Sequence, residues 1–130
     1  MSLDPDLKTL ATAQNFAALT TLATDGRPST QMMWIDADDD HLVINTEVHR
    51  QKFKNISNDP RVAVTVIDAA SPYRYIEARG RVTEIVMGDE ARRHIDETSR
   101  RYTGEDYAPE IQSERVVCKV TVDRIHRNNI

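Results

Sequence analysis

The longest regular pattern in the sequence is an alternation that runs from Tyr73 to Val86. Ile76, Ala78 and Val82 recur on one side of it, while charged residues fill most of the other side. A period of two is the period of a β-strand, so the run predicts one strand of unusual length. Gly80 interrupts its apolar side, and glycine there is typical of a bulge that bends the strand and curves the sheet. The chain is therefore expected to build a curved sheet.

The remaining segments predict short strands joined by tight turns. Asp25-Gly26 between two strand-like runs indicates a hairpin, and Asp36–Asp40 is predicted to be a second turn. Short helices are predicted after Asp4, around the basic stretch that follows residue 49, and from a cap at Asp89 to Gly104. The predicted strands are 16–23, 29–35, 41–46, 61–67, 73–86 and 114–125.

This order of elements predicts the fold class, which is mainly β with short helices. Hairpin-linked strands favour an antiparallel sheet, and a bent sheet of six strands can remove its edges by closing. We therefore expect a small six-stranded antiparallel β-barrel, as one domain over residues 1–130. The small core and residual edges of such a barrel favour a dimer.

Charge and composition exclude several classes of protein. The chain has 17 basic and 21 acidic residues, which argues against nucleic-acid binding. No apolar run has the length of a membrane span, and residues 1–5 lack the features of a signal peptide. Cys118 is the one cysteine, so no internal disulfide can form. These features predict a cytoplasmic protein with no membrane or nucleic-acid partner.

A basic stretch follows the third predicted strand. Arg50, Lys52 and Lys54 fall in the first turns of a predicted short helix that ends before Asp59-Pro60. A helix N-terminus is already electropositive, so cations there are unfavourable unless an anion binds among them. One interpretation is a phosphate site. The other is a solvated basic helix, with Glu47 as partial compensation, and local sequence does not separate the two.

Several motifs in this order resemble a known family. They are Thr21–Pro28, Arg50-Gln-Lys-Phe-Lys-Asn55, Asp59-Pro-Arg61 and Ser71–Gly80. Together they resemble the pyridoxamine 5′-phosphate oxidase-like FMN-binding split β-barrel proteins, and within these the branch of probable F420-dependent reductases. The resemblance covers roughly residues 5–125 and implies a homodimer with two cofactor sites at the subunit interface.

The resemblance also implies which residues bind the cofactor. Arg50 and Lys52 would hold its phosphate, with Asn55 nearby. The flavin or deazaflavin ring would lie along Thr30, Gln31, Met32, Met33 and Trp34, with Asn45 and Thr46 from the next strand. Tyr75 would come from the partner chain. No catalytic residue is assigned.

The implied activity is hydride transfer from reduced coenzyme F420 to a small-molecule substrate. The pyridoxamine phosphate oxidases proper carry an Arg and a Lys on the second strand, where this chain has Gln31 and Trp34. Oxidation of pyridoxamine phosphate is therefore not expected. Two alternatives stay open: an FMN-binding oxidoreductase, or a protein that binds flavin, deazaflavin or haem without turnover.

Some residues have plainer interpretations. Met32 and Met33 face opposite sides of a strand, so only one is expected to meet a cofactor. Cys118 is expected to be an inert buried thiol. The acidic residues from Asp36 to Glu47 match part of a calcium-loop spacing, but His41 replaces the required glycine and the flanks are strands. No metal site is predicted.

Overall fold

The computed structural model describes residues 2–130, which form three helices and seven strands. The helices are α1 (Pro5–Ala11), α2 (Gln51–Asn58) and α3 (Asp89–Thr103). The strands are β1 (Phe16–Leu22), β2 (Pro28–Trp34), β3 (Asp36–Ala37), β4 (Leu42–Glu47), β5 (Arg61–Ile67), β6 (Tyr75–Val86) and β7 (Arg115–Asn128). The prediction of a mainly β chain with short helices is confirmed. No described helix is long and apolar enough to span a membrane.

All seven strands belong to one antiparallel sheet with the order β2-β1-β5-β6-β7-β4-β3. The predicted count of six strands is wrong because β3 lies within the segment predicted to be a turn. Asp36 and Ala37 pair with Val43 and Leu42 before the chain reverses. The turn itself is shorter, and the Asp38 carboxylate closes it by accepting hydrogen bonds from the backbone N–H groups of Asp40 and His41.

The sheet curls around a single large apolar cluster. Alternate residues of β1, β5, β6, β7 and β4 all contribute to this cluster, which requires the sheet to bend so that distant strands face one another. Helix α1 adds Leu7 and Leu10, and α2 adds Ile56. Cys118 lies in this core as predicted, and burial raises the pKa of its thiol to about 12.

Gly80 marks a bulge between β6 and β7, as the sequence predicts. The register of the two strands shifts between Arg79 and Gly80, and again between Val82 and Glu84. A Cβ atom on Gly80 would lie 2.0 Å from the carbonyl oxygen of Thr121. The close approach of the two backbones therefore requires glycine at this position.

Helix α3 covers part of the opposite, outer face of the sheet. Its Ala91 packs on Val43 and Val117, with Val86 at the margin. The predicted cap at Asp89 is wrong by one residue. Gly88 is the N-cap, with φ of 75°, and Asp89 lies inside the first turn, where its charge favours the positive end of the helix. Gly104 ends the helix in the left-handed region, as predicted.

Candidate functional site

A cavity of about 520 Å³ lies between β2, α3, the start of β7 and the loop that precedes β7. One wall is apolar and includes Phe16, Met32, Met33, Trp34, Val43 and Ile95. The other residues of note are polar or charged: Asp36, Asn45, Arg50, Lys52, His94, Tyr107 and Arg115. This combination of an apolar wall and a few convergent polar groups is typical of ligand sites.

An open groove adjoins this cavity at the start of α2. It is lined by Gln31, Met32, His49, Arg50, Gln51 and Lys52. Met32, Arg50 and Lys52 line both the cavity and the groove. The two spaces therefore form a continuous site, with two cations at the point where they meet.

The start of α2 has no acidic side chain to balance its positive end. Arg50 occupies the N-cap position, makes no side-chain capping bond, and the first turn contains no Asp or Glu. Lys52 follows in that first turn, and within residues 2–130 its ammonium makes no ion pair. Free helix amides beside such cations favour an anion at this end of the helix.

Glu47 is the carboxylate that Arg50 does contact, and it is almost completely buried at 1% exposure. Its Oε1 accepts hydrogen bonds from the backbone N–H groups of Gln112 and Ser113, each at 2.8 Å. Its Oε2 lies 3.2 Å from Nη2 of Arg50 and 3.4 Å from Nη1 of Arg115. Glu47 thus holds both guanidinium groups and the loop before β7.

Glu47 is charged in the folded protein. Burial opposes its ionisation, but the backbone N–H groups of Ser113 and Gln112, together with Arg115 and Arg50, outweigh burial and lower the pKa of Glu47. The single negative charge of Glu47 lies near three cations, which are Arg50, Lys52 and Arg115. Burial, Arg50 and Arg115 lower the pKa of Lys52, and burial with repulsion from Arg50 lowers that of Arg115. The site has an excess of positive charge that an anion would offset.

A chain of side-chain hydrogen bonds runs along the cavity from Arg115 to Asp36. Nε of Arg115 donates to Oδ1 of Asn45 at 2.9 Å, and Nδ2 of Asn45 lies 3.0 Å from Nδ1 of His94. Nε2 of His94 lies 2.9 Å from Oδ2 of Asp36. Burial opposes ionisation of Asp36, but bonds from His94 and the Ala37 N–H, with the charge of Arg101, lower its pKa. Asp36 is therefore an acceptor.

These bonds predict the protonation of His94. Arg115 can only donate, so the Asn45 oxygen must face it, and the Asn45 amide N–H must then point to Nδ1 of His94. We expect a long-range ¹H–¹⁵N spectrum to show that Nε2 of His94 carries a proton and that Nδ1 accepts the Asn45 N–H. The exposed His126 serves as an internal reference in the same spectrum. A proton on Nδ1 of His94 in the native protein would contradict this arrangement.

Aromatic rings close the far end of the cavity. Trp34 stacks on Tyr102, with centroids 4.9 Å apart and an angle of 5° between the planes. Tyr107 meets the edge of Trp34 at 6.2 Å, and its own ring lies over Arg115, whose Cζ is 5.0 Å from the ring centroid. Trp34 therefore belongs both to an aromatic cluster and to the cavity wall.

Six of the residues predicted to bind a cofactor line the cavity together: Met32, Met33, Trp34, Asn45, Arg50 and Lys52. Gln31 lines the adjoining groove. Both methionines reach the cavity wall, although one alone was expected to do so. Met32 is 59% exposed, whereas Met33 packs partly against the core. The role of these residues in cofactor binding stays a prediction.

The other four predicted residues lie away from the cavity. Thr30 is exposed and shares a hydrogen bond with Thr20. Asn55 is buried, where it donates to the Thr21 hydroxyl and accepts from Gln51. The hydroxyl of Thr46 is buried without a partner among residues 2–130. Tyr75 lies half-buried at the start of β6.

The sequence did not single out Arg115, His94, Asp36 or Tyr107 as site residues. Arg115 is the first residue of β7, and the residues that follow it are apolar. A charged residue at the start of an apolar strand is the one local signal of a functional role. Its meaning depends on the pairing of β4 with β7, which sets Glu47 directly opposite Arg115. His94 and Tyr107 reach the cavity through the packing of α3 and the loop after it, and Asp36 lies on the two-residue strand β3. Residue spacing does not predict any of these three positions.

Comparison with known proteins gives a consistent picture. The sequence model of the family described as pyridoxamine 5′-phosphate oxidase matches residues 3–129. A solved structure described as an F420 reductase is 31% identical, with a TM-score of 0.82 over 95% of this chain and 98% of that one. Comparison with curated proteins gives no match.

Two more distant structures share the fold. The conserved hypothetical protein Rv2991 from Mycobacterium tuberculosis is 24% identical, with a TM-score of 0.75 over 96% of this chain and 83% of that one. General stress protein 26 from Bacillus anthracis str. Sterne is 22% identical, with a TM-score of 0.70 over 95% and 91% of the two chains.

Proposed function

Because the chain belongs to the pyridoxamine 5′-phosphate oxidase family, whose model matches residues 3–129, we propose that it is an F420-dependent oxidoreductase. Its substrate would be a small molecule that accepts a hydride from the reduced cofactor. The observation that carries this proposal is the convergence of Arg50, Lys52 and Arg115 on one cavity, with the carboxylate of Glu47 shared between the two arginines and no ion pair at Lys52 within residues 2–130.

The residues of the site fit a cofactor that joins a phosphate to a planar ring. Arg50 and Lys52 stand at the open groove beside the free amides of α2, where a phosphate could reach both. Charge-assisted hydrogen bonds of this kind are roughly twice as strong as neutral ones. Trp34, Met32 and Val43 give the adjoining cavity an apolar wall suited to a ring.

The bound cofactor would supply the hydride, and the protein would bind it, orient it and exclude water. Arg50 and Lys52 fix one end of the ligand, while α3 and the loop before β7 cover the cavity. The Asn45–His94–Asp36 hydrogen bonds hold α3 against β4 and β3. No side chain is assigned as a proton donor, since both ring nitrogens of His94 already have partners.

The preference for F420 over FMN rests on two observations. The F420 reductase structure is similar over 95% of the chain at 31% identity. In addition, Gln31 and Trp34 occupy the part of β2 where the oxidases proper carry cations. FMN is the second candidate because it presents a phosphate and a tricyclic ring to the same cations and the same apolar wall.

A homodimer is part of the proposal. Strand β2 forms one edge of the sheet, is exposed along most of its length and contributes Met32, at 59% exposure, to the cavity. A second copy of the chain would cover this edge and complete the site, with Tyr75 as the residue it contributes. An exposed edge strand that carries site residues favours such an arrangement.

Titration and turnover test the proposed function. We expect purified protein to quench F420 fluorescence on binding, with a lower Kd than for FMN. We also expect it to speed the oxidation of reduced F420 by menadione, a quinone that accepts two electrons. Tighter binding of FMN would favour the second candidate. Binding of F420 without faster oxidation would leave a binding protein and contradict the proposed activity.

A further inference from the structure

We propose that Lys52 is a nucleophilic amine that captures small phosphate-bearing aldehydes as an imine, at the point where the cavity meets the open groove. The reaction needs no redox cofactor, so it is independent of the proposed hydride transfer, although both would use the same cations. An aldehyde bound in this way occupies the place of a cofactor phosphate and excludes it.

Lys52 differs from the other three lysines of the chain in its surroundings. Lys8 and Lys119 both form ion pairs with carboxylates. Lys54 is exposed on α2. Lys52 lines both the cavity and the groove, and its ammonium makes no ion pair within residues 2–130. No carboxylate therefore stabilises the protonated form of Lys52, and nearby cations disfavour that form.

The carboxylate within reach of the site is already engaged by two guanidinium groups. Oε2 of Glu47 lies 3.2 Å from Nη2 of Arg50 and 3.4 Å from Nη1 of Arg115. Burial, followed by repulsion from Arg50 and Arg115, lowers the pKa of Lys52. A larger fraction of Lys52 than of an exposed lysine is therefore the neutral amine, which is the form that attacks a carbonyl.

The same surroundings define the ligand. Arg50 and Arg115 line the cavity with Lys52 and favour an anionic group on the molecule that reaches it. The start of α2 has no acidic side chain, so its free amides also favour a phosphate. The groove is open and admits a small ligand from solvent. An aldehyde is suitable because an amine captures it without any further reactant.

The capture step is balanced without an oxidant or a reductant. The lone pair on Nζ of Lys52 adds to the carbonyl carbon, and a C=N bond replaces the C=O bond. The carbonyl oxygen leaves as water and takes both protons of the neutral amine. Hydrolysis reverses the step, so the adduct is in equilibrium with free aldehyde until it is reduced.

The test uses glycolaldehyde phosphate and glycolaldehyde, which differ only in the phosphate. Sodium cyanoborohydride reduces each imine to a stable secondary amine, and peptide mass spectrometry measures the adduct at each lysine. We expect the phosphate to speed labelling of Lys52 by about tenfold, because one charge-assisted hydrogen bond contributes about a factor of ten or more in affinity. Labelling of Lys54 should not depend on the phosphate. Inorganic phosphate should slow the labelling of Lys52 alone.

Lys52→Arg and Lys54→Arg form a matched pair on one helix. Each keeps the positive charge and removes one primary amine. Lys52→Arg should remove the adduct that forms fastest, whereas Lys54→Arg should leave it. Arg50→Gln retains Lys52, and it should reduce the advantage that the phosphate gives. Circular dichroism shows whether each variant is folded.

The outcomes separate this inference from the proposed function. If glycolaldehyde phosphate labels Lys52 no faster than Lys54, or if the phosphate gives no advantage at Lys52, the inference is overturned even where the protein binds F420. If Lys52 is labelled selectively but neither F420 nor FMN binds, the capture of aldehydes is supported and the proposed oxidoreductase activity fails.

Discussion

Replacing both Arg50 and Lys52 with alanine is expected to weaken the binding of F420 by about 100-fold or more. Each charge-assisted hydrogen bond contributes about 1.5–3 kcal/mol, and about 1.4 kcal/mol corresponds to a factor of ten in affinity. The two side chains line both the groove and the cavity, so their loss removes the cations at the point where the two spaces meet. Fluorescence titration measures the effect directly.

A control with the same change in net charge is available. Lys54 is exposed on α2, one turn away from Arg50, and Arg27 is exposed in the turn between β1 and β2. The variant with both of these replaced by alanine should bind F420 within a factor of about two of wild type, because exposed charges at a distance are screened. Equal affinity of the two double variants, with native circular dichroism, would remove the phosphate assignment.

Replacing Glu47 with alanine is expected to destabilise the fold at pH 7 by about 3–5 kcal/mol, because it leaves the buried Arg115 without its carboxylate. It also removes the acceptor that binds the backbone N–H groups of Gln112 and Ser113. The free energy of unfolding in urea measures the loss. Glu84→Gln, which changes an exposed carboxylate, is the control and should differ from wild type by about 0.5 kcal/mol or less.

The effect of Glu47 should depend on pH. Its pKa in the folded protein is below the ordinary value of 4.5, so its stabilising contribution is complete above pH 4.5 and is lost as the pH falls through the lower, folded pKa. The difference in unfolding free energy between wild type and Glu47→Gln should therefore shrink as the pH falls below 4.5. A difference that stays constant down to pH 2 would mean that Glu47 does not act through its charge.

Local pattern was enough to predict most of the sheet. The period-two run of β6, its bulge at Gly80 and the apolar strand β5 were predicted because each depends on the residues of one segment. Strand β3 was not predicted, since two residues carry no period and an acidic run is typical of a turn. Its pairing depends on β4, which follows it in the chain.

The residues of the candidate site also differ in whether one segment of sequence is enough to predict them. Arg50 and Lys52 were predicted because neighbouring cations at a helix start are visible in the sequence. Arg115 was not predicted, because its burial, its carboxylate and its place at the cavity all follow from the register between β4 and β7. From the sequence, Glu47 is a partial compensation for the basic helix, whereas in the structure it is 1% exposed and holds two guanidinium groups.

The exposed edge of β2 has a consequence for how the protein is made. In a newly synthesised subunit, the backbone N–H and C=O groups along the edge of Pro28–Trp34 can pair with any extended peptide. The exposed side chain of Met32 lies on the same strand. If a second copy takes that place, correct assembly competes directly with misdirected pairing. The yield of refolded protein should then be highest at intermediate protein concentration, because dimerisation is too slow in dilute solution and aggregation dominates in concentrated solution.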